Sequence, residues 1–210
     1  MKRKTSAGFA PLCLLLLSAA CGGASAPPES APGPSDGAGG ETATAGDVPV
    51  EAAPAGSALG IPNERAISNG LVVGGQPAEQ SLRTAQSAGY GTVITLRAAG
   101  EPDTEGEQEL VEELGMRFVS IPVDRETGLT ADNARRLDAA LAEAGEAPVL
   151  LHCGSGNRVT ALLAIRAFLV EGLGVDAALG RMRDWGLSRL EAKVREVLEA
   201  LCADEPGRDC

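Results

Sequence analysis

One histidine, one tryptophan, one tyrosine and three phenylalanines are all that 210 residues contain of those types. A lone histidine leaves no imidazole cluster to hold a metal, and nothing else in the chain calls for a cofactor. With so few rings, and none in the loops expected to frame a pocket, there is no aromatic platform for the ring of a phosphotyrosine. Basic residues are short as well: 18 Lys and Arg stand against 29 Asp and Glu, for a net charge of −11. Phosphate backbones need basic surface, so nucleic acid is not an expected partner. Long apolar runs are also missing; the one near the N-terminus, Leu12 to Leu17, is too short to span a bilayer.

That short run is informative in another way. Lys2, Arg3 and Lys4 precede it, and small residues Ser18, Ala19 and Ala20 lead from it to Cys21. A basic start, an apolar stretch and a small-residue site are the layout of a secretory signal peptide, here residues 1–20. The segment ending at Cys21 also resembles a lipoprotein processing site, in which Cys21 becomes the lipidated first residue. Ser18 stands where such sites most often carry Leu, which leaves simple cleavage and secretion open. Residues 21–60 are rich in Ala, Gly, Pro and Ser and, beyond Cys21, hold five acids and no Lys or Arg. Too little apolar bulk is present to fold, so this stretch reads as a disordered tether. The expectation is an exported protein, periplasmic or in the cell envelope, held to a membrane by a lipid anchor.

The remaining residues, 61–210, have the length of one domain. Of the five cysteines, Cys202 and Cys210 stand close together near the C-terminus and could form a disulfide in an oxidising compartment; two unpaired thiols are the alternative.

Cys153 belongs to the most telling stretch, His152-Cys153-Gly154-Ser155-Gly156-Asn157-Arg158. The apolar run before it, Pro148 to Leu151, reads as a buried strand, and the run after it, from Val159 to Ile165, reads as a helix. A glycine-bearing loop between a strand and a helix N-terminus points several N–H groups at one spot, where the helix dipole also favours an anion. Gly154, Ser155, Gly156 and Asn157 would form that cradle. The same field favours the thiolate of Cys153, a nucleophile. Arg158 adds a planar fork suited to phosphate or thiosulfate oxygens. The bland reading is an inert buried cysteine beside an ordinary connector. His152, adjacent to Cys153 on a strand, faces the other way, so a Cys–His dyad is not expected and a bracing role is the better reading.

Elsewhere the pattern alternates. Strands are expected at 70–74, 92–96, 117–121 and 148–151. Helices are expected at 78–88, 105–114, from a Thr130 cap to 144, and at 158–171, 175–185 and 189–201, the last opened by a capping box of Ser188 and Glu191. Strands separated by helices imply an α/β fold with a central, mostly parallel sheet and helices on both faces. Ligands in such sheets bind beyond the C-terminal strand ends, where Cys153 lies.

The ordered segments Gly74-Gly75-Gln76-Pro77, Thr92 to Arg97 with Glu101 beyond, Ile121-Pro122-Val123, Pro148 to Cys153 and Ser155 to Arg158 resemble the phosphatase-like domain of beta-lactamase hydrolase-like proteins. That group falls within the dual-specificity and tyrosine phosphatase fold, and the resemblance spans roughly residues 66–201. It implies a cysteine-phosphatase-like fold and a small anionic or phosphorylated substrate. Cys153 would attack phosphorus while Arg158 and the loop N–H groups hold the oxygens. A general acid is then needed for the leaving oxygen. Asp124 holds the chain position where such phosphatases carry theirs, with Glu126 behind it; a loop carboxylate without a task is the duller reading. Arg97 and Glu101 could pair and brace the site.

Two features depart from the phosphatase pattern. Four residues separate Cys153 from Arg158, not five, and Val159 stands where a Ser or Thr would support the leaving thiolate, with Thr160 one place late. The shorter loop is similar to that of rhodanese sulfurtransferases, so persulfide or thiosulfate chemistry is the alternative, and a catalytically silent anion-binding module is a third.

Overall fold

The computed structural model describes residues 58–67, 70–204 and 210. Residues 1–57, with the signal peptide, Cys21 and nearly all of the tether, lie outside the described residues. The elements in chain order are β1 (Arg65–Ile67), β2 (Leu71–Gly74), α1 (Glu79–Ser87), β3 (Thr92–Thr95), α2 (Glu107–Glu113), β4 (Arg117–Ser120), α3 (Ala131–Ala144), β5 (Val149–His152), α4 (Asn157–Leu169), α5 (Val175–Asp184) and α6 (Glu191–Ala203).

Five strands form one sheet in the order β1-β2-β5-β3-β4, parallel throughout except for the edge strand β1. Successive residues of a strand face opposite sides, and the two cores follow that alternation. Val72, Val93 and Leu150 point to one face, where Leu82 and Ala85 of α1 and Val111 of α2 cover them. Val73, Ile94 and Leu151 point to the other, against α3, α4, α5 and α6. Strands buried on both faces need near-continuous apolar sequence, and β5 with its Val-Leu-Leu run has it. The fold class expected from the sequence is the one observed.

α4 is the central helix. Ten of its thirteen residues are buried, so it is apolar nearly all round rather than on one stripe. Thr130 caps α3 as expected, its hydroxyl accepting from the Asn133 N–H at 3.2 Å. The capping box at α6 does not form. Its N-cap is Leu190, without a side-chain cap; the Ser188 hydroxyl donates to Asn157 Oδ1 at 3.1 Å, and Glu191 pairs with Arg183 at 2.6 Å. Tertiary partners outbid the local motif there.

β1 is absent from the sequence-based reading because only Ile67 of its three residues is buried. The domain also begins earlier than residue 61. Leu59 and Ile61 are both buried in the α1–α2 core, and the N–H groups of Leu59, Gly60 and Ile61 donate to the Glu64 carboxylate at 2.8, 2.9 and 3.3 Å. Residues 58–64 thus form a hook, folded on Glu64 and anchored by two apolar side chains. The sulfurs of Cys202 and Cys210 lie within bonding reach, their Cα atoms 6.0 Å apart.

Candidate active site

β5 ends at His152 and α4 begins at Asn157, so Cys153 and three loop residues make the turn between them. Gly156 takes the left-handed conformation, φ 86°, that closes the loop onto the helix. Its N–H donates to Cys153 Sγ at 3.1 Å. The loop is braced from outside: Gly154 O accepts from Gln76 N at 3.5 Å, and Asn63 Nδ2 donates to Ser155 O at 3.2 Å. These contacts explain the Gly74-Gly75 pair. A Cβ on Gly75 would stand 3.0 Å from Gly154 O and 2.9 Å from Pro62 Cβ, and one on Gly74 would strike Ile61. The hook, the β2 end and the anion loop approach too closely for any side chain.

Arg158, in the first turn of α4, is only 5% exposed. Its terminal nitrogens meet Glu101 end-on, Nη1 to Oε1 and Nη2 to Oε2, both at 2.7 Å, and Nη1 also donates to Val123 O at 3.1 Å. Cys153 also lies close enough to act on Arg158 by hydrogen bond as well as by charge. Glu101 thus holds the end of the fork, and Gly154 sits against Nη2, which a Cβ there would approach to 3.6 Å. Glu101 serves a second arginine: Arg97 Nε lies 3.2 Å from Oε2, and Arg97 Nη1 donates to Gln76 Oε1 at 2.6 Å. The Arg158 hydrogen bonds come first in holding the Glu101 carboxyl down at about 2, with the Ala98 N–H and Arg97 adding to them. In return, Glu101 and then the nearby Cys153 raise Arg158 further, so it remains a cation. Two buried or half-buried guanidiniums around one carboxylate leave a net positive charge beside Cys153, which suits an incoming anion.

The structure brings Cys153, Gly154, Gly156 and Arg158 together with Glu101 and Arg97. Asn157 is different. Its Oδ1 accepts from Ser188 N, Ser188 Oγ and Arg189 N at 3.3, 3.1 and 3.0 Å, so its side chain seats the α5–α6 connection and not a ligand. Thr160 Oγ1 donates to helix carbonyls of Gly156 and Asn157, away from the place of a thiolate partner. His152 is fully buried and faces α2 rather than bracing the loop. Its Nε2 lies 2.9 Å from Glu107 Oε1 but without hydrogen-bond alignment, and its Nδ1 has no partner among the described residues.

Asp124 follows Val123, whose carbonyl touches Arg158, so it flanks the site in the chain. Its carboxylate is exposed and turned onto its own loop: Oδ1 accepts from Glu126 N, Thr127 N and Thr127 Oγ1 at 2.9, 2.9 and 3.0 Å. These bonds, the Thr127 N–H first, lower its pKa. Gly128 is required for the turn, since a Cβ there would run into the Asp124 backbone. A carboxylate so held is kept ionised, the opposite of what proton donation needs. Asn63, Gln76 and the carbonyl of Val123 are contacts that the sequence reading assigns no task. Pro62-Asn63 was the available signal for the first, because Asn tolerates positive φ and its φ is 54°. A groove of about 420 Å³ lined by Leu71, Leu141, Val149, Met182 and Trp185 opens at the other end of the strands, remote from Cys153.

A cysteine and an arginine on one strand–loop–helix turn, at the carboxyl edge of a mixed five-stranded sheet, define a protein of the cysteine-phosphatase fold. The solved structures agree in fold. A DUF442 protein of Shewanella putrefaciens CN-32 is 24% identical, with 69% of this chain and 92% of that one covered and a TM-score of 0.57. TpbA of P. aeruginosa is 23% identical over 66% of this chain and 84% of that one, TM-score 0.51, and kinase associated phosphatase is 13% identical over 64% and 86%, TM-score 0.53. The family model for the phosphatase-like domain of beta-lactamase hydrolase-like protein matches residues 63–169, and the chain belongs to that family. No curated protein matches it significantly.

Proposed function

We propose that the chain is a cysteine-dependent phosphatase acting on phosphate esters. The observation that carries the reading is the attitude of Arg158: fixed end-on by Glu101, with Nη2 against Gly154 and the guanidinium close to Cys153. An ester phosphoryl group would accept from the Arg158 guanidinium and from the loop N–H groups. The Cys153 thiolate would attack phosphorus, forming a P–S bond as the ester P–O bond breaks, and water would then release phosphate. TpbA has been crystallised in complex with pTyr, which supports a phosphorylated substrate. Tyr90 and Phe118 pack in one core and Phe168 and Trp185 in the other, so a ring-stacking preference for phosphotyrosine has no support here.

Sulfur transfer is the second reading, favoured by the four-residue spacing and by the engaged, ionised state of Asp124, because no alkoxide leaves in that reaction. Export, a lipid anchor at Cys21 and a Cys202–Cys210 disulfide complete the proposal; they rest on the N-terminal sequence and, for the disulfide, on the proximity of the two residues.

The test is turnover of an aryl phosphate against sulfur transfer from thiosulfate to cyanide, each with Cys153→Ser and Asp124→Asn. Phosphatase chemistry with Asp124 as acid predicts that Cys153→Ser abolishes ester turnover. Asp124→Asn should lower it about 10²-fold for a poor leaving group, with less effect for a good one. Equal turnover with and without Asp124 for both leaving groups removes Asp124 as the acid. Thiosulfate turnover well above ester turnover selects sulfur transfer.

A further inference from the structure

The hook at residues 58–64 reaches the anion loop through one side chain. Asn63 Nδ2 donates to Ser155 O at 3.2 Å, and the next N–H along the chain, that of Gly156, donates to Cys153 Sγ at 3.1 Å. Ser155 C=O and Gly156 N–H belong to a single trans peptide plane and point in opposite directions. Holding the oxygen toward Asn63 therefore aims the hydrogen at sulfur. The isolated antiparallel bridge between Gly75 and Ser155 ties this stretch to the end of β2, and Asn63 adds a side-chain hold to it beside Gly156, whose φ of 86° and missing Cβ leave a flipped plane sterically open. Among the described residues the adjacent carbonyl, Gly154 O, accepts only the longer 3.5 Å bond from Gln76.

The hook is organised to deliver that amide. Glu64 gathers three N–H groups, Leu59 and Ile61 anchor in the core, and Gly75 N donates to Pro62 O at 2.6 Å. Asn63 itself sits at φ 54°, where Asn, Asp and Gly are the residue types least strained.

We propose that Asn63 is a positioning residue for the nucleophile: by fixing the Ser155–Gly156 peptide it directs the Gly156 N–H onto Cys153 Sγ and so sustains the thiolate. The proposal rests on the reading of Cys153 as the nucleophile. Two variants keep the backbone conformation. Asn63→Gly removes the amide, and Asn63→Asp replaces the donor with a carboxylate that repels the Ser155 carbonyl.

The experiment measures iodoacetamide alkylation of Cys153 in the full chain, read by mass spectrometry on the peptide that carries it, alongside the melting temperature. At about pH 7, Asn63→Gly should slow alkylation about 5-fold, the worth of one hydrogen bond, and Asn63→Asp should slow it more. At about pH 10, where the thiolate forms regardless, all three proteins should react alike, and both variants should melt with the unaltered chain. If the unaltered chain reacts faster than free cysteine at about pH 7 and both variants match it, Asn63 does not position the loop, although the nucleophile reading survives. Equal slowing at both pH values means altered access to the sulfur and likewise overturns the proposal. If the unaltered chain reacts only as free cysteine does, the nucleophile reading falls first and takes this inference with it.

Discussion

Both terminal nitrogens of Arg158 face Glu101, so the guanidinium meets any ligand with its orientation already set, and the ordering entropy of a long side chain is not lost at that moment. Glu101 acts through Arg158 and touches no reacting atom. Its carboxyl is depressed from an ordinary 4.5 to about 2, chiefly by those hydrogen bonds. A carboxyl depressed in the fold contributes stability that is complete above its unfolded value and is lost as pH falls through the folded value. The melting temperature of Glu101→Gln should therefore lie furthest below that of the unaltered protein near neutrality, and the gap should close between pH 4.5 and about 2. A gap that stays constant across that window would place the stabilisation elsewhere. The motif Arg97 to Glu101 was legible in the sequence as a pair; that Glu101 also clamps Arg158, 57 residues on, was not, because only the fold supplies that contact.

Elements were legible wherever both sides of them are buried. β3 and β5 have apolar sequence on both faces, and α4 is apolar nearly all round, so periodicity and length identify them. β1 fails that criterion, and the capping box fails for a different reason: Asn157 offers Ser188 a better partner than the start of α6 does. A side chain two elements away thereby sets where α6 begins. Asn157→Ala removes the acceptor of three hydrogen bonds, one from a hydroxyl and two from backbone N–H groups. It should cost about 1–2 kcal/mol in urea unfolding and speed hydrogen exchange at Ser188 and Arg189. Unchanged exchange at those two amides would leave the seat of α6 to its apolar contacts through Val194 and Leu198.

At the scale of the molecule, the family match starts at residue 63, while Leu59 and Ile61 ahead of it already belong to the core. Composition hid this boundary, since Leu59 and Ile61 are two apolar residues at the end of a long Ala, Gly, Pro and Ser stretch. Leu59→Ala and Ile61→Ala should each cost roughly 2–4 kcal/mol in urea unfolding, as core truncations do, despite their place at the rim of the sequence domain. Losses below about 1 kcal/mol would make the hook an ornament of the surface.

The hook has one more consequence. Leu59 and Ile61 lie in the core on one side of it, and Asn63 bonds Ser155 on the other. Whatever shifts residues 58–64, a cut among them included, would therefore be felt at the Cys153 loop as well as in the core.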